Sequence, residues 1–257
     1  MRPHHAALLE LALLFLPALP AYLWLWPNLT GLPETLGQVL VYGYLLAGAL
    51  VIGRRRWTWD QLGVNGRGLK LSLACGLALL AGRTLVILAV DWPLWTRPVT
   101  WAGLLADGLF YFGAVALTEE LLFRGLLYRA LADWRGARLA LWGSTLAFGL
   151  YHWPSQGPLG ALGTGLVGLV LAVLRWRADG IAGPIIIHGL IDLQAVLMLP
   201  SLDLATLGQP AIVSRPLLLL GYALLIAPPV YLWRFYPQAR PAEADRRPGR
   251  RKGAPNG

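Results

Sequence analysis

Apolar runs about as long as a membrane span recur from one end of the chain to the other. A helix that crosses the hydrocarbon core of a bilayer needs about 20 mainly apolar residues, at about 1.5 Å of rise each. Only 14% of the 257 residues are charged and 56% are hydrophobic, whereas a soluble domain carries about 25% charged residues. We therefore predict an all-α, polytopic membrane protein with about eight transmembrane helices in one bundle. The predicted spans are residues 6–26, 36–52, 71–90, 101–131, 139–153, 159–174, 181–199 and 216–233.

The basic residues lie between the apolar runs, in a pattern that predicts topology. With eight spans and a cytoplasmic N-terminus, the loops outside the cytoplasm hold only Arg97 and Arg215, and the other basic loops are cytoplasmic. We therefore predict a multi-pass protein of the cell membrane with both termini in the cytoplasm. The net charge of +9 arises from these short clusters rather than from one folded basic surface. For that reason we do not predict binding to nucleic acid.

The chain divides by composition into two parts. Residues 1–236 form the predicted membrane-embedded helical domain, with a core of motifs at residues 101–199. Residues 237–257 are polar and basic, and we predict a disordered cytoplasmic tail there. The expected partners are the lipid bilayer and a membrane-associated peptide or protein substrate, and the sequence does not indicate an oligomeric state.

Three ionisable residues lie close together in the fourth apolar run. A charge inside a bilayer costs several kcal/mol unless it is paired or faces a cavity, so such residues are candidates for function. Glu120 and Arg124 are four residues apart and can form an ion pair on one helix face. Glu119 is rotated by about 100° from Glu120 and can reach a different partner. A structural salt bridge explains Glu120 and Arg124 but leaves the adjacent Glu119 as a catalytic candidate.

Two histidines lie in later apolar runs. His152 follows Phe148 by four residues, and an interfacial histidine beside aromatic residues is the alternative interpretation. His188 and Asp192 are also four apart, so the carboxylate can orient the imidazole, or the two can form a polar pair that packs two helices together. Counted from the cytoplasmic ends of their helices, Glu119 and the two histidines lie about 12–15 Å deep. We therefore expect the three side chains to meet at one level.

A carboxylate and two imidazoles can together activate water. Amide hydrolysis needs a base for the water, stabilisation of the oxyanion and a proton for the leaving amine. The sequence contains neither Gly-x-Ser-x-Gly nor His-Glu-x-x-His. Two arrangements stay open: a glutamate mechanism without a cofactor, or a zinc site. In the second, His152, His188 and either Glu119 or Glu120 are the ligands, and the other glutamate is the base.

Three short motifs on separate apolar helices resemble the signature of a known family. They are Glu119-Glu120-x-x-x-Arg124, Phe148-x-x-x-His152 and His188-x-x-x-Asp192. In this order they resemble the CAAX protease and bacteriocin-processing family (CPBP, or Abi) of intramembrane endopeptidases, over about residues 101–199. The resemblance implies an all-helical membrane fold with a site that opens towards the cytosolic leaflet. It also implies cleavage of peptide bonds in membrane-associated or lipid-anchored substrates.

The resemblance assigns a role to each motif. By motif, Glu119 is the general base and His152 helps to activate the water. Glu120 and Arg124 form the supporting pair, and Phe148 belongs to the second motif. The family resemblance permits a metal-free mechanism as well as a metal-dependent one.

The third motif departs slightly from the usual pattern. It often ends in asparagine, whereas this chain has Asp192. By motif, His188 and Asp192 stabilise the oxyanion or orient the substrate. An ionised carboxylate repels an oxyanion, so we expect Asp192 to orient His188 instead.

Two other classes of function fit the same composition. One is a non-catalytic membrane scaffold or a bacteriocin self-immunity protein that binds a peptide without cutting it. The other is a transporter or proton relay, in which buried Glu and His residues carry protons. The sequence does not show the repeated pair of broken helices that transporters use, which favours the endopeptidase.

Overall fold

Every regular element in the part of the chain that the structure describes is a helix. The computed structural model describes residues 3–20, 32–89, 100–198 and 214–235. The all-α fold class is therefore confirmed, while the predicted tail at 237–257 and the end of the first predicted span lie outside the described residues. The helices are α1 (Pro3–Pro20), α2 (Leu32–Arg56), α3 (Leu69–Ala89), α4 (Trp101–Arg135), α5 (Ala137–Ala178), α6 (Ala182–Met198) and α7 (Arg215–Arg234).

The lengths of these helices suit a membrane. By length and composition, five of the described helices can cross a bilayer, namely α2, α3, α4, α5 and α7. Helices α1 and α6 contain shorter apolar segments, at His4–Ala18 and Ala182–Leu197. The chain is thus a multi-pass membrane protein, and the count of eight spans stays a prediction.

The distribution of polar and apolar side chains is the reverse of that in a soluble protein. Large leucines face outwards, with Leu77 and Leu105 each 65% exposed and Leu159 83% exposed. In contrast, Glu119 is 1% exposed and Arg124 is completely buried. A soluble protein does not expose large contiguous apolar surfaces, whereas a lipid-facing surface has to be apolar. The bundle therefore has a lipid-compatible exterior around a charged interior.

Helix α5 contains both the fifth and the sixth predicted spans. It is 42 residues long, and its backbone leaves the helical conformation at Gly157, where φ is 66°. Because that φ lies in the left-handed region, glycine is the residue that adopts it without strain. The two halves pack closely, since a Cβ on Gly149 would lie 3.2 Å from the carbonyl oxygen of Ala161. Helix α5 is thus a hairpin of two packed segments.

The basic ends of several helices meet at one end of the bundle. The Trp57 indole donates to Asp133 at 3.1 Å, which joins the end of α2 to that of α4. Arg177, near the end of α5, donates to the carbonyl oxygen of Trp233, near the end of α7. This clustering agrees with the predicted arrangement of basic segments on one side of the membrane. The assignment of that side to the cytoplasm stays a prediction.

A polar network ties the segment at 57–68 to the connection between α5 and α6. Arg67 donates to Asp179 at 2.8 Å and also to Asp60. The Asn65 side chain donates to the carbonyl oxygen of Asp179 at 3.2 Å. These contacts draw the two connections so close that a Cβ on Gly68 would lie 2.1 Å from the Ala178 Cβ.

The variant Gly68→Ala should be destabilised because it disturbs this contact. Gly68 has a φ of +65°, and its added Cβ would overlap Ala178. Backbone strain and overpacking together should cost about 2–4 kcal/mol. The matched control is Gly66→Ala, since a Cβ there meets nothing within 4 Å. Thermal unfolding in detergent should show a clear loss for Gly68→Ala alone, and equal midpoints for the two variants would contradict the packing described.

Candidate active site

Helix α4 places three charged residues in the interior of the bundle. Glu119, Glu120 and Arg124 lie near the middle of this helix and are at most 1% exposed. The winding of α4 widens to a π-type turn at Leu109–Ala116 and again at Glu120–Leu127. Such wide turns within a helix often occur at functional sites. Here they lie on both sides of Glu119.

Glu120 and Arg124 form the ion pair that the spacing predicts. The Arg124 Nη1 donates to the Glu120 Oε1 at 2.9 Å, and both side chains are fully buried. The other terminal nitrogen, Nη2, donates to the carbonyl oxygen of Gly168 on α5 at 2.9 Å. The guanidinium carbon lies 4.0 Å from the centre of the Phe148 ring, within the range of a cation–π contact. Arg124 therefore joins α4 to both segments of α5.

The same Glu120 carboxylate also contacts His188. The His188 Nδ1 lies 2.9 Å from the Glu120 Oε1. An ionised carboxylate paired with an arginine can only accept, so the proton of this bond resides on Nδ1. The arrangement fixes the orientation of the imidazole and turns its Nε2 towards Glu119, at 3.7 Å from Oε2.

Glu119 has a different set of partners from Glu120, as its rotation around the helix predicts. Its Oε1 accepts a hydrogen bond from the Tyr42 hydroxyl at 2.8 Å. Its Oε2 is buried and has no hydrogen-bond partner among the described residues. This oxygen lies 3.6 Å from the His152 Nε2, in addition to its approach to His188. Glu119 is therefore the meeting point of α2, α4, α5 and α6.

His152 is held by its own helix. Its Nδ1 lies 2.9 Å from the carbonyl oxygen of Phe148, which can only accept. The proton is therefore on Nδ1, and the Nε2 that faces Glu119 is available as an acceptor or for a second proton. The Phe148 ring also packs on the imidazole, with 4.6 Å between ring centres. Phe148 thus orients His152 with its backbone and packs on both His152 and Arg124 with its side chain.

Asp192 lies on the opposite nitrogen of His188 from Glu120. Its Oδ2 is 3.4 Å from the His188 Nε2, and its side chain is 25% exposed. Glu120 accepts the direct hydrogen bond of this imidazole, at Nδ1. Asp192 contacts the other nitrogen, the one that faces the site, and its role in orienting His188 stays a prediction.

The Glu119 Oε2 lies just beyond direct hydrogen-bond distance of both imidazoles. Separations of 3.6 and 3.7 Å to the two imidazole nitrogens exceed the usual length of a direct hydrogen bond. Polar atoms at such distances are commonly bridged by a water molecule. A water beside Oε2 would touch a carboxylate oxygen and two imidazole nitrogens at once.

Among the residues that the structure describes, Tyr42 is the direct hydrogen-bond partner of Glu119 that the motifs do not include. It lies near the middle of α2, far from the ends of the helix where tyrosines of a membrane belt are expected. That position is a weak signal in the sequence, and nothing in the spacing of the motifs indicates its partner. The contact depends on how α2 packs against α4, which one sequence does not specify.

The predicted zinc arrangement does not appear as a formed ligand set. Within residues 3–20, 32–89, 100–198 and 214–235, no group of three or more His, Cys, Asp and Glu side chains is placed to hold a metal ion. The His188 Nδ1 and the Glu120 carboxylate are bonded to each other, and Glu120 also neutralises Arg124. Glu120 is therefore engaged, whereas the Nε2 atoms of both histidines face Glu119. The zinc site stays a prediction.

Comparison with known proteins supports the resemblance of the motifs. Residues 101–194 match a family described as type II CAAX prenyl endopeptidase, Rce1-like. This segment belongs to the CAAX protease family. No curated protein and no solved structure matches the chain.

The CAAX protease segment begins at the first residue of α4 and ends within α6. It contains the seven residues of the three motifs, and it supports a general assignment of the chain as a protease. Tyr42 lies outside the segment and reaches its centre from α2.

Proposed function

We propose that the chain is an intramembrane endopeptidase that hydrolyses peptide bonds of membrane-associated or lipid-anchored substrates. The observation that carries this proposal is the buried Oε2 of Glu119, which faces the Nε2 atoms of His152 and His188. A carboxylate aimed at one point together with two imidazoles is suited to take a proton from a water molecule at that point.

The proposed reaction uses these groups in order. Glu119 takes a proton from water, and the hydroxide attacks the carbonyl carbon of the scissile peptide bond, so that a tetrahedral oxyanion forms. The carbon–nitrogen bond then breaks, and the proton held by Glu119 passes to the leaving amine. The Nε2 of His152 accepts a hydrogen bond from the water or takes up its proton. The other ring nitrogen, Nδ1, is bonded to the carbonyl oxygen of Phe148.

His188 is the proposed partner of the oxyanion or of the substrate. Its Nδ1 proton is held by Glu120, so a hydrogen bond to the oxyanion requires a second proton, on Nε2. Asp192 lies beside this nitrogen and can hold the imidazole or orient the substrate. Glu120 and Arg124 support the site, because their ion pair fixes His188 from the side remote from the water.

The substrate would approach from the basic end of the bundle. We assign this end to the cytoplasmic side of the cell membrane, which the chain crosses several times. Candidate substrates are a prenylated CAAX protein, as in the name of the matching family, a leader peptide, a bacteriocin-like precursor or another membrane-anchored protein. All of them place a peptide bond close to the membrane surface.

The test is cleavage of a panel of membrane-anchored peptides by the purified protein in lipid vesicles. Mass spectrometry of the products should identify a new amino terminus for at least one class of peptide. Glu119→Gln protein in the same vesicles is the control for contaminating proteases. Peptide binding without cleavage by the wild type across all four substrate classes would favour the scaffold or self-immunity alternative.

A glutamate mechanism predicts that activity does not depend on a metal. Wild-type protein incubated with a strong chelator and then freed of it should keep its cleavage rate within about twofold, because none of the proposed steps uses a metal ion. The rate should be measured again after addition of zinc. A loss of activity with chelator that zinc restores would contradict the glutamate mechanism and favour His152, His188 and one glutamate as ligands.

A further inference from the structure

Tyr42 contacts the site helix at two places. Its hydroxyl donates to the Glu119 Oε1 at 2.8 Å, across 77 positions of sequence. Its ring meets the Phe110 ring edge-on, with 6.1 Å between centres and an interplanar angle of 90°. Tyr42 is 8% exposed, so the ring is held by packing and the hydroxyl is shielded from solvent. The phenol is thus a fixed donor rather than a mobile one.

We propose that Tyr42 is a positioning residue for the reaction, which orients the Glu119 carboxylate so that Oε2 is the oxygen that accepts the proton from water. This inference rests on the proposed endopeptidase function and adds a residue outside the family segment to its machinery. The role is positional, because the Tyr42 hydroxyl donates to the Glu119 Oε1, whereas the proposed water lies beside Oε2.

The two oxygens of an ionised carboxylate are chemically equivalent. The terminal torsion of a glutamate is broad and roughly two-fold, so the torsion alone does not hold the carboxylate plane in one orientation. The hydrogen bond from Tyr42 occupies Oε1 and leaves Oε2 as the oxygen without a partner among the described residues. That oxygen is the one between the two imidazole nitrogens. Proton transfer is faster to a base that is held in a productive orientation than to a base that rotates freely.

A purely structural role is the alternative. A buried tyrosine needs a hydrogen-bond partner, and Glu119 could serve only to satisfy it. The two roles differ in what they affect. A structural contact changes the stability of the fold, whereas a positioning contact changes kcat with little change in KM, because the carboxylate orientation matters mainly in the transition state.

The first measurement is the cleavage kinetics of Tyr42→Phe, which keeps the ring and removes only the hydroxyl. We expect kcat to fall about 10- to 100-fold, the range for loss of one hydrogen bond to a charged group, with KM within about twofold. The matched control is Tyr44→Phe on the same helix, since Tyr44 is 44% exposed. Its kinetics should equal those of the wild type. A kcat of Tyr42→Phe within about twofold of the wild type would overturn the positioning role.

The second measurement does not require a substrate. The infrared band of the Glu119 carboxylate can be isolated by subtracting the spectrum of Glu119→Gln from that of the wild type. The same band in the absence of the phenol is isolated by subtracting the spectrum of the double variant, Tyr42→Phe with Glu119→Gln, from that of Tyr42→Phe. Loss of the phenol hydrogen bond should shift this band in the Tyr42→Phe pair, whereas Tyr44→Phe should leave it in place. An unchanged band would overturn the inference even if kcat falls.

The two measurements separate this inference from the proposed function. If the wild type cleaves and Glu119→Gln does not, the endopeptidase stands, and the Tyr42→Phe kinetics decide the role of Tyr42. If neither protein cleaves any peptide, the proposed function fails, and the positioning role for that reaction fails with it. A band shift in that case would assign the Tyr42 bond to another function of Glu119.

Discussion

Replacement of Glu119 by glutamine is expected to lower kcat about 10²- to 10⁴-fold, the range that removal of a general base produces. The side chains have nearly the same shape, and the glutamine oxygen can still accept the hydrogen bond from Tyr42. The amide nitrogen would then occupy the place of Oε2, between the two imidazoles. Since an amide nitrogen cannot take a proton from water, the chemical step should fail while the fold and the binding of peptide persist.

The measurement is the rate of peptide cleavage in lipid vesicles, together with crosslinking of the uncleaved peptide to the protein. The matched control is Glu10→Gln, because Glu10 lies in none of the three motifs and pairs with Arg56 by two hydrogen bonds of 2.6 and 2.7 Å. That variant should cleave at about the wild-type rate. Cleavage by Glu119→Gln at the wild-type rate would remove Glu119 as the base, and loss of crosslinking as well as cleavage would point to a role in peptide binding.

The sequence predicts well those features that follow from local spacing. The ion pair of Glu120 and Arg124 follows from their separation of four residues, and the contact of Phe148 with His152 follows in the same way. The fold class follows from apolar runs of the length of a span. Both contacts lie within one helix, and the fold class depends only on the length of each apolar run. None of these features requires knowledge of how the helices pack against each other.

The features that one sequence does not predict depend on packing between helices. Tyr42 reaches Glu119 from another helix, and the bond between Glu120 and His188 joins positions 68 residues apart. The spacing of His188 and Asp192 suggests a pair, and they do approach to 3.4 Å, but the rotation of α6 gives the closer contact to Glu120. Hydropathy reports which segments enter the bilayer and carries no information about these rotations.

The basic residues show a second limit of the sequence. Arg175 is expected to be one of several cytoplasmic charges, yet its side chain is only 3% exposed. It donates to the carbonyl oxygen of Arg124 at 3.1 Å and to that of Gln61 at 3.1 Å, and it also pairs with Asp179. A count of basic residues in each loop does not distinguish a buried arginine that joins helices from an arginine that faces the lipid headgroups.

The second large effect is expected for Arg124→Met, which should lower the stability of the fold by about 3–5 kcal/mol. Methionine fills much of the space of the arginine but leaves the Glu120 carboxylate buried without its cation. Removal of one partner of a buried ion pair is costly for that reason, whereas replacement of both partners by apolar residues is often tolerated. Thermal unfolding in detergent should therefore show a much lower midpoint for Arg124→Met than for the wild type.

The chain offers a matched control for this effect on the same helix. Arg129 and Asp133 have the same spacing as Glu120 and Arg124 in reverse order, and their side chains are 24% and 32% exposed. A partly exposed pair contributes at most about 1 kcal/mol, so Arg129→Met should unfold close to the wild-type temperature. In the double variant Glu120→Met with Arg124→Met, part of the lost stability should return, although His188 loses its hydrogen bond. Equal midpoints for Arg124→Met and Arg129→Met would show that enough water enters the interior of the bundle to solvate Glu120. In such a wet interior, the water that the base activates would also form hydrogen bonds with other water molecules.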